Sequence, residues 1–159
     1  MVDTIAKLGV AVFFLILFGL AFISPLAYVT SVYDGDTIWV LWRGKRTKIR
    51  LRLIDAPELD QDGGNASKRQ LERLILHKWV KLENIKIDNH GRVLASVRIG
   101  HQDASEWMIK KGQAFAYMAT KKARQLEDMA RRAKLGIHGR KTIRPSDYRS
   151  SKKSGSNKS

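Results

Sequence analysis

The stretch DTIWVLWRGKRTKIRLRLID, residues 36–55, predicts a β-hairpin that carries acidic residues at one end. Residues 36–42 are rich in β-branched and aromatic side chains, which favour strands. The segment RGKR that follows contains Gly44, which adopts the positive φ of a turn without steric cost. Apolar and basic side chains then alternate over residues 47–54, as expected for a strand with one buried face. The sequence therefore predicts two antiparallel strands joined by a short turn.

The register of this hairpin decides whether its acidic residues meet. If the strands pair across a four-residue turn, Asp36 faces Leu53, and Asp55 lies two residues farther along the opposite strand. Diagonal neighbours of this kind lie roughly 7–8 Å apart, so one small cation can bridge both carboxylates. Arg50 and Arg52 share one face of the second strand. Two acids beside arginines at one sheet end indicate metal-assisted chemistry on a phosphate.

The composition indicates one compact domain with a polyanionic partner. The chain has 159 residues, of which 43% are hydrophobic, and its 30 Lys and Arg residues against 15 Asp and Glu residues give a net charge of +15. Residues 121–159 hold 13 of the basic residues and three of the acidic ones. Such a charge attracts DNA, RNA or an anionic membrane, although the last ten residues are more simply explained as a solvated tail. The chain has no cysteine, and its four histidines lack the spacing of a zinc site.

The apolar run over residues 8–23 predicts export. It follows Lys7 and precedes Pro25, and a core helix this uniformly apolar would need burial on every side. Two fates stay open: cleavage near residues 19–21 would remove a signal peptide, whereas an uncleaved helix over residues 8–27 is long enough to span a bilayer. We therefore expect residues 1–26 to be a signal peptide or membrane anchor, and the protein to be periplasmic, extracellular or membrane-anchored.

The remaining segments predict a small barrel with three helices. Strands are expected over residues 28–33, 79–85 and 92–99 besides the hairpin, and helices over residues 65–76, 103–111 and 119–133. Asp103 and Glu106 form a capping box for the second helix, and Gly136 ends the third. The expected fold class is mainly β with packed helices (α+β), a five-stranded barrel over residues 27–140 preceded by an N-terminal hydrophobic helix. Residues 141–159 lose periodicity and are predicted to be a basic, disordered tail.

Four motifs resemble the thermonuclease (staphylococcal nuclease) family. They are VYDGDTI at residues 32–38, IRLRLIDAPE at residues 49–58, GR at residues 91–92 and AKLGI at residues 133–137, in the family's order and spacing. DGDT alone is a weak signal, but its combination with R-x4-D-x-P-E and D-x-x-G-R is highly specific. The resemblance covers residues 27–138. It implies an OB-fold barrel and a calcium-dependent endonuclease that hydrolyses DNA and RNA with little sequence preference and leaves 3′-phosphate ends.

The resemblance implies a Ca²⁺ site formed by Asp36, Asp55 and the carbonyl of Ala56. Calcium prefers hard oxygen ligands, which carboxylates and a carbonyl supply. Pro57 favours an extended conformation at Ala56 and contributes no N–H of its own. A purely structural interpretation makes Asp34 a turn residue and Asp55 a strand-end cap, and the family places Asp34 near the metal without ligating it. For Asp36 and Asp55 the ligand role is favoured because two acids at one sheet end repel each other without a cation.

Three catalytic residues, Arg50, Glu58 and Arg92, are also implied by the resemblance. Glu58 matches the residue that activates or orients the attacking water, a role that suits a carboxylate; without the motif it would be an exposed loop residue. Arg50 and Arg92 match the two arginines on the scissile phosphate, which guanidinium groups bind in bidentate fashion. Tyr117 aligns with a tyrosine that stacks on a nucleotide, and a core role for it is an equal alternative. His90 stands where the family has a tyrosine.

Two other functions fit parts of the sequence. A non-catalytic nucleic-acid-binding barrel, exported or tethered to the membrane, would have the same charge and fold, but would leave the acids and arginines of the site without a role. A membrane docking protein would use the apolar segment and the basic tail and would likewise not explain that arrangement. The favoured prediction is a monomeric nuclease with Ca²⁺ as its cofactor and DNA and RNA as partners, with membrane association through residues 8–27 left open.

Overall fold

The structure is a computed structural model that describes residues 7–10, 12–13, 25–118, 120–140 and 142–156. Residues 7–10 and 12–13 are helical, whereas most of the apolar run that is predicted to direct export lies outside the described residues. Among the residues that are described, none of the helices combines the length and the apolar character needed to cross a bilayer.

Short strands and helices alternate between residues 25 and 156. The strands are β1 Leu26–Val32, β2 Thr37–Trp42, β3 Lys45–Leu51, β4 Ile54–Asp55, β5 Trp79–Ile87, β6 Val93–Ile99, β7 Gln102–Asp103 and β8 Phe115–Ala116. The helices are α1 Gly64–Ile75, α2 Ala104–Lys110, α3 Lys121–Arg132 and α4 Pro145–Ser156, with a 3₁₀ helix at Gly136–Gly139 between the last two.

Five strands form a closed barrel. The sheet order is β3-β2-β1-β5-β6-β7, and a parallel pairing of β3 with β6 joins the two sides of the sheet, with Ile49 opposite Val93. The barrel interior consists of alternate residues of each strand, such as Ile38, Val40 and Val97, which are fully buried. This architecture confirms the predicted α+β fold with a five-stranded barrel of the OB type.

The hairpin of β2 and β3 is tighter than the sequence suggests. Trp42 pairs with Lys45, so only Arg43 and Gly44 form the turn, with φ of 52° and 72°. Two positive φ angles in a two-residue loop match the right-handed twist of the strands. The predicted four-residue turn is therefore wrong by two residues, which leaves the side chains of β2 and β3 on their predicted faces because the side-chain period of a strand is two. The predicted strand over residues 47–54 ends earlier, at Leu51, because the chain turns at Leu53 with a φ of 66°. Asp36 lies opposite Leu51, whose N–H donates to the Asp36 carbonyl at 2.7 Å.

Helices α1, α2 and α3 correspond to the three predicted helices. Leu71 and Ile75 of α1 and Met108 and Ile109 of α2 are completely buried and join the core of the barrel. Asp103 caps α2 as predicted, because its carboxylate accepts the N–H of Glu106 at 3.0 Å. Ala119, the expected start of the third helix, lies outside the described residues, and Thr120 caps α3.

Residues 145–156 form the additional helix α4, where the sequence predicts a disordered tail. Polar contacts hold the segment to the rest of the molecule. Gln61 donates from Nε2 to the carbonyl of Ile143 at 2.8 Å, and the Arg144 guanidinium lies 3.0 Å from the buried Glu127 carboxylate and 4.9 Å from the ring of Phe115. A helix that is held by polar contacts needs no apolar stripe, so its sequence shows no apolar periodicity. The helix was not predicted for this reason.

Candidate active site

The turn between β1 and β2 brings Asp36 into the interior of the molecule. The side chain of Asp34 accepts the N–H of Asp36 at 3.0 Å, which shapes the turn. Gly35 is required at its centre, since a Cβ there would lie 1.9 Å from Ser67 Oγ of α1 and 2.6 Å from Ala56 Cβ. This close approach of α1 buries Asp36, which is only 2% exposed.

The buried Asp36 carboxylate accepts three hydrogen bonds. Oδ1 accepts from Arg50 Nη1 at 2.6 Å and from Thr37 Oγ1 at 2.9 Å, and Oδ2 accepts from the N–H of Ala56 at 3.0 Å. Burial nevertheless raises the pKa of Asp36 from 3.8 to about 7, because the loss of solvent outweighs the attraction of Arg50 and the hydrogen bonds. The positive charge of Arg50 therefore does not fully offset the burial of the Asp36 carboxylate.

Arg50 joins the two predicted metal-binding carboxylates. Its Nη2 lies 2.8 Å from Asp55 Oδ1 while its Nη1 contacts Asp36, so one guanidinium spans both acids. Asp55 is 4% exposed and is fixed by the short pairing of β4 with β8, in which it lies opposite Phe115. The two carboxylates of Asp36 and Asp55 lie close together, as the sequence predicts, and the Arg50 guanidinium connects them.

In the segment after Asp55, Ala56 is buried whereas Glu58 lies at the surface of the site. Ala56 is buried and donates its N–H to Asp36. Glu58 lies at the surface of the site, with a side chain that is 35% exposed. Its main-chain N–H donates to Gln61 Oε1 at 3.3 Å, and its carbonyl accepts the N–H of Gln61 at 2.9 Å.

Arg149 of α4 is a site residue that the sequence did not reveal. Its Nη1 lies 2.7 Å from Glu58 Oε1, and its Nη2 lies 3.1 Å from Asp55 Oδ2. In the sequence it is one of the many basic residues in a segment without periodicity, and no motif distinguishes it.

Arg92, the second predicted phosphate arginine, is held by an ion pair within its own loop. Its Nε lies 2.7 Å from Asp88 Oδ2, and Asp88 Oδ1 accepts the N–H groups of His90 and Arg92 at 2.9 Å each. These hydrogen bonds lower the pKa of Asp88 to about 2. The Arg92 side chain is 53% exposed. His90, which stands where the family has a tyrosine, is a residue of this turn.

A cavity of about 1260 Å³ connects these groups. Of the predicted site residues, Arg50, Asp55, Glu58, Arg92 and Tyr117 line it, whereas Asp36 and Ala56 are buried behind its wall. Tyr117 is 52% exposed, so its side chain is not part of the core. The wall is strongly basic, since it also includes Arg43, Lys45, Arg46, Lys48 and Arg149.

The chemistry of the acidic cluster fits a divalent cation. Two arginines face four carboxylates here, namely Arg50 and Arg149 against Asp34, Asp36, Asp55 and Glu58. The formal excess of two negative charges equals the charge of one divalent ion, and carboxylate oxygens are the ligands that Ca²⁺ and Mg²⁺ prefer. In the described part of the chain, no group of three or more Asp, Glu or His side chains is arranged to hold a metal. A bound ion would therefore take its other ligands from main-chain, water or substrate oxygens.

Comparison with known proteins identifies related nucleases. Residues 48–139 match the family model described as staphylococcal nuclease homologue. An uncharacterized endonuclease of Haemophilus influenzae is 40% identical over 90 residues, which are 56% of this chain and 51% of the relative. A micrococcal nuclease of Shigella flexneri is 31% identical over 123 residues, which are 69% of this chain and 71% of the relative. Endonuclease YncB of Bacillus subtilis is 36% identical over 91 residues, which are 51% of this chain and 43% of the relative.

The matched region covers only part of several of these relatives. The aligned residues span 51% of the Haemophilus influenzae protein and 59% of a similar uncharacterized endonuclease of Escherichia coli. The matched part of this chain contains the hairpin strand of Arg50, the Asp55–Glu58 segment, the Arg92 loop and Tyr117.

Proposed function

Since the chain belongs to the family of staphylococcal nuclease homologues, we propose that it is an endonuclease that hydrolyses the phosphodiester bonds of nucleic acids. The observation that carries this proposal is the pair of contacts from Arg50 to Asp36 and Asp55, at the wall of a basic cavity. A phosphate drawn into that cavity meets guanidinium donors and carboxylates at the same point.

In this proposal the arginines bind and stabilise the reacting phosphate. Arg50 and Arg92 donate to phosphate oxygens, and guanidinium forks suit a group that gains negative charge in the transition state. The Arg50 side chain is already fixed by two carboxylates, so it is oriented before the substrate arrives. The exposed Arg92 exchanges its partner Asp88 for the phosphate.

Glu58 is the group proposed to accept the proton of the attacking water. Its carboxylate lies at the cavity wall and is partly open to solvent, as a general base that meets a water molecule must be. A divalent ion held by Asp36 and Asp55 would supply positive charge that polarises a phosphate oxygen. We propose calcium for this role, since a cluster built of hard oxygen donors suits it.

The proposed substrates are DNA and RNA, cut with little sequence preference. A wall of basic side chains attracts any phosphate backbone, and the exposed Tyr117 ring is suited to stacking on a base of any kind. The resemblance to thermonucleases supports products that end in a 3′-phosphate.

The proposal is tested by incubating the purified protein with single-stranded DNA, duplex DNA and RNA, with calcium, with magnesium and with excess EGTA. We expect cleavage of all three substrates with calcium and its loss in EGTA, because the acidic cluster repels phosphate when no cation neutralises it. Products should become extendable by a polymerase only after phosphatase treatment. Activity that persists in EGTA would refute the metal role. Binding without cleavage under every divalent ion would instead favour a nucleic-acid-binding module.

A further inference from the structure

We propose that Arg149 is a positioning residue that holds Glu58 and Asp55 in their active arrangement, so that the C-terminal segment 142–156 completes the active site. The inference rests on the nuclease function proposed above. It assigns a role to a part of the chain that lies beyond the matched family region of residues 48–139.

One guanidinium group connects two carboxylates that lie on different parts of the chain. Arg149 Nη1 donates to Glu58 Oε1 at 2.7 Å, and Nη2 donates to Asp55 Oδ2 at 3.1 Å. Further contacts of 3.3 and 3.4 Å reach Asp55 Oδ1. The planar fork of arginine fixes the direction of each acceptor, which a flexible ammonium group does not do. Glu58, whose side chain is 35% exposed, thereby acquires a defined orientation relative to Asp55.

The position of Arg149 is fixed by contacts outside the site. Tyr148 Oη donates to the carbonyl of Asp60 at 3.4 Å, and Lys152 Nζ pairs with the Asp60 carboxylate at 2.5 Å. On the other side, Arg144 pairs with Glu127, which also accepts the N–H of Ala116 in β8 at 2.8 Å. The segment 142–156 is thus tied both to the loop after Glu58 and to the strand that pairs with β4.

These contacts leave room for the reaction. Arg149 lies in the wall of the cavity together with Arg50 and Arg92, and the cavity keeps its volume of about 1260 Å³ with Arg149 in place. A carboxylate offers about four acceptor sites, so Asp55 retains capacity for a cation while it accepts from Arg50 and Arg149. Arg149 also supplies one of the positive charges that offset the acidic cluster.

The test compares Arg149→Gln and Arg149→Lys with Arg140→Gln in the full chain. Arg140 is the matched control because its guanidinium forms an exposed ion pair with Asp62, 3.1 Å apart, and such pairs contribute little. We expect Arg149→Gln to lower kcat by roughly 10–100-fold with a much smaller change in KM, which is typical when a group that orients a site residue is lost. Arg149→Lys should recover part of the loss, and Arg140→Gln should match the wild type.

Calcium binding gives a second readout that does not depend on cleavage. Loss of a positive charge beside Asp55 should leave the calorimetric affinity for calcium unchanged or higher in Arg149→Gln, while circular dichroism stays as in the wild type. An increase in kcat would overturn the proposal, since it would make Arg149 an internal inhibitor. An unchanged kcat, or an equal fall in kcat and in calcium affinity, would also overturn it. Failure of the wild type to cleave would refute the proposed nuclease function as well.

Discussion

At the scale of single residues, the central feature of the site is Asp36, whose burial costs more than its hydrogen-bond partners offset. Asp36 accepts three hydrogen bonds, one of them from Arg50, yet burial still raises its pKa to about 7. Removing an ion from water costs several kcal/mol, and one partially exposed arginine does not offset this. A further cation beside the carboxylate would offset this cost. The same imbalance that weakens the metal-free protein therefore favours binding of a divalent ion.

The raised pKa of Asp36 predicts how stability depends on pH without metal. The folded protein holds this proton more tightly than the unfolded chain, whose aspartate has a pKa of about 3.8. The contribution of Asp36 to the free energy of unfolding is therefore fully present below pH 4 and is lost as the pH rises through about 7. At about 1.4 kcal/mol per pKa unit, the loss is at most about 4 kcal/mol. Urea unfolding in EGTA at pH 5 and pH 8 measures it.

The Asp36→Asn variant isolates this contribution. Because asparagine does not titrate, the variant should lose less stability than the wild type between pH 5 and pH 8. Added calcium should stabilise the wild type more at pH 8 than at pH 5. If the wild type and the variant show the same pH dependence, the buried carboxylate is not the group responsible.

At the scale of elements, the hairpin of β2 and β3 extends the catalytic face outward. Arg46, Lys48 and Arg50 lie on one face of β3, and alternate residues repeat at roughly 7 Å along a strand. The Arg46 guanidinium lies 4.5 Å from the ring centre of Trp39, and Lys48 Nζ lies 3.9 Å from that of Tyr33. Basic groups interleaved with aromatic rings are suited to a single nucleic-acid strand that leads to Arg50.

This arrangement predicts a change in the salt dependence of binding. Each phosphate neutralised on a single strand contributes about 0.7 to the slope of log affinity against log salt concentration. Removing two contacts with Arg46→Gln and Lys48→Gln together should lower the slope by about 1.4. Fluorescence anisotropy with single-stranded DNA in EGTA measures this slope without cleavage.

A matched control is available on α1. Lys68 and Arg69 are basic residues that do not line the cavity, so Lys68→Gln with Arg69→Gln removes the same charge from another surface. This pair should leave the slope nearly unchanged. Equal slopes for the two double variants would mean that only the total charge matters and that the hairpin is not a binding surface.

At the scale of the whole molecule, charge is distributed in two layers. The chain carries a net charge of +15, and basic residues surround the cavity, but the proposed active site contains four carboxylates. The outer layer attracts a polyanion, whereas the inner layer repels it unless a cation is present. This distribution supports the proposed dependence on a divalent ion.

Much of the fold and the acidic pair could be predicted because their signals are local. Alternation along residues 47–54 identified β3, and the DGDT motif placed Asp36 at the strand end. The register was missed because Arg43, a residue with a Cβ, adopts a positive φ, which sequence rules assign to glycine. Only the coordinates show that the turn contains two residues.

The C-terminal part of the site could not be predicted because its stabilising contacts are distant in sequence. Helix α4 has no apolar stripe. Ion pairs of Lys152 with Asp60 and of the preceding Arg144 with Glu127 hold it to the rest of the molecule. Arg149 meets Glu58 from 91 positions farther along the chain. One basic residue among many carries no signal for such a contact.

The role of the Arg50 cluster as the active site is tested most directly by the initial rate of DNA cleavage in saturating calcium. This rate is compared between the Arg50→Lys and Arg52→Lys variants. Lysine keeps a positive charge beside Asp36 but cannot span two carboxylates and a phosphate, whereas the Arg52 guanidinium donates to the carbonyl of Asn84 at 3.0 Å. We predict that Arg50→Lys slows cleavage by roughly 10²–10³-fold and that Arg52→Lys cleaves at nearly the wild-type rate. Equal rates for the two variants would contradict the assignment of the Arg50 cluster as the active site.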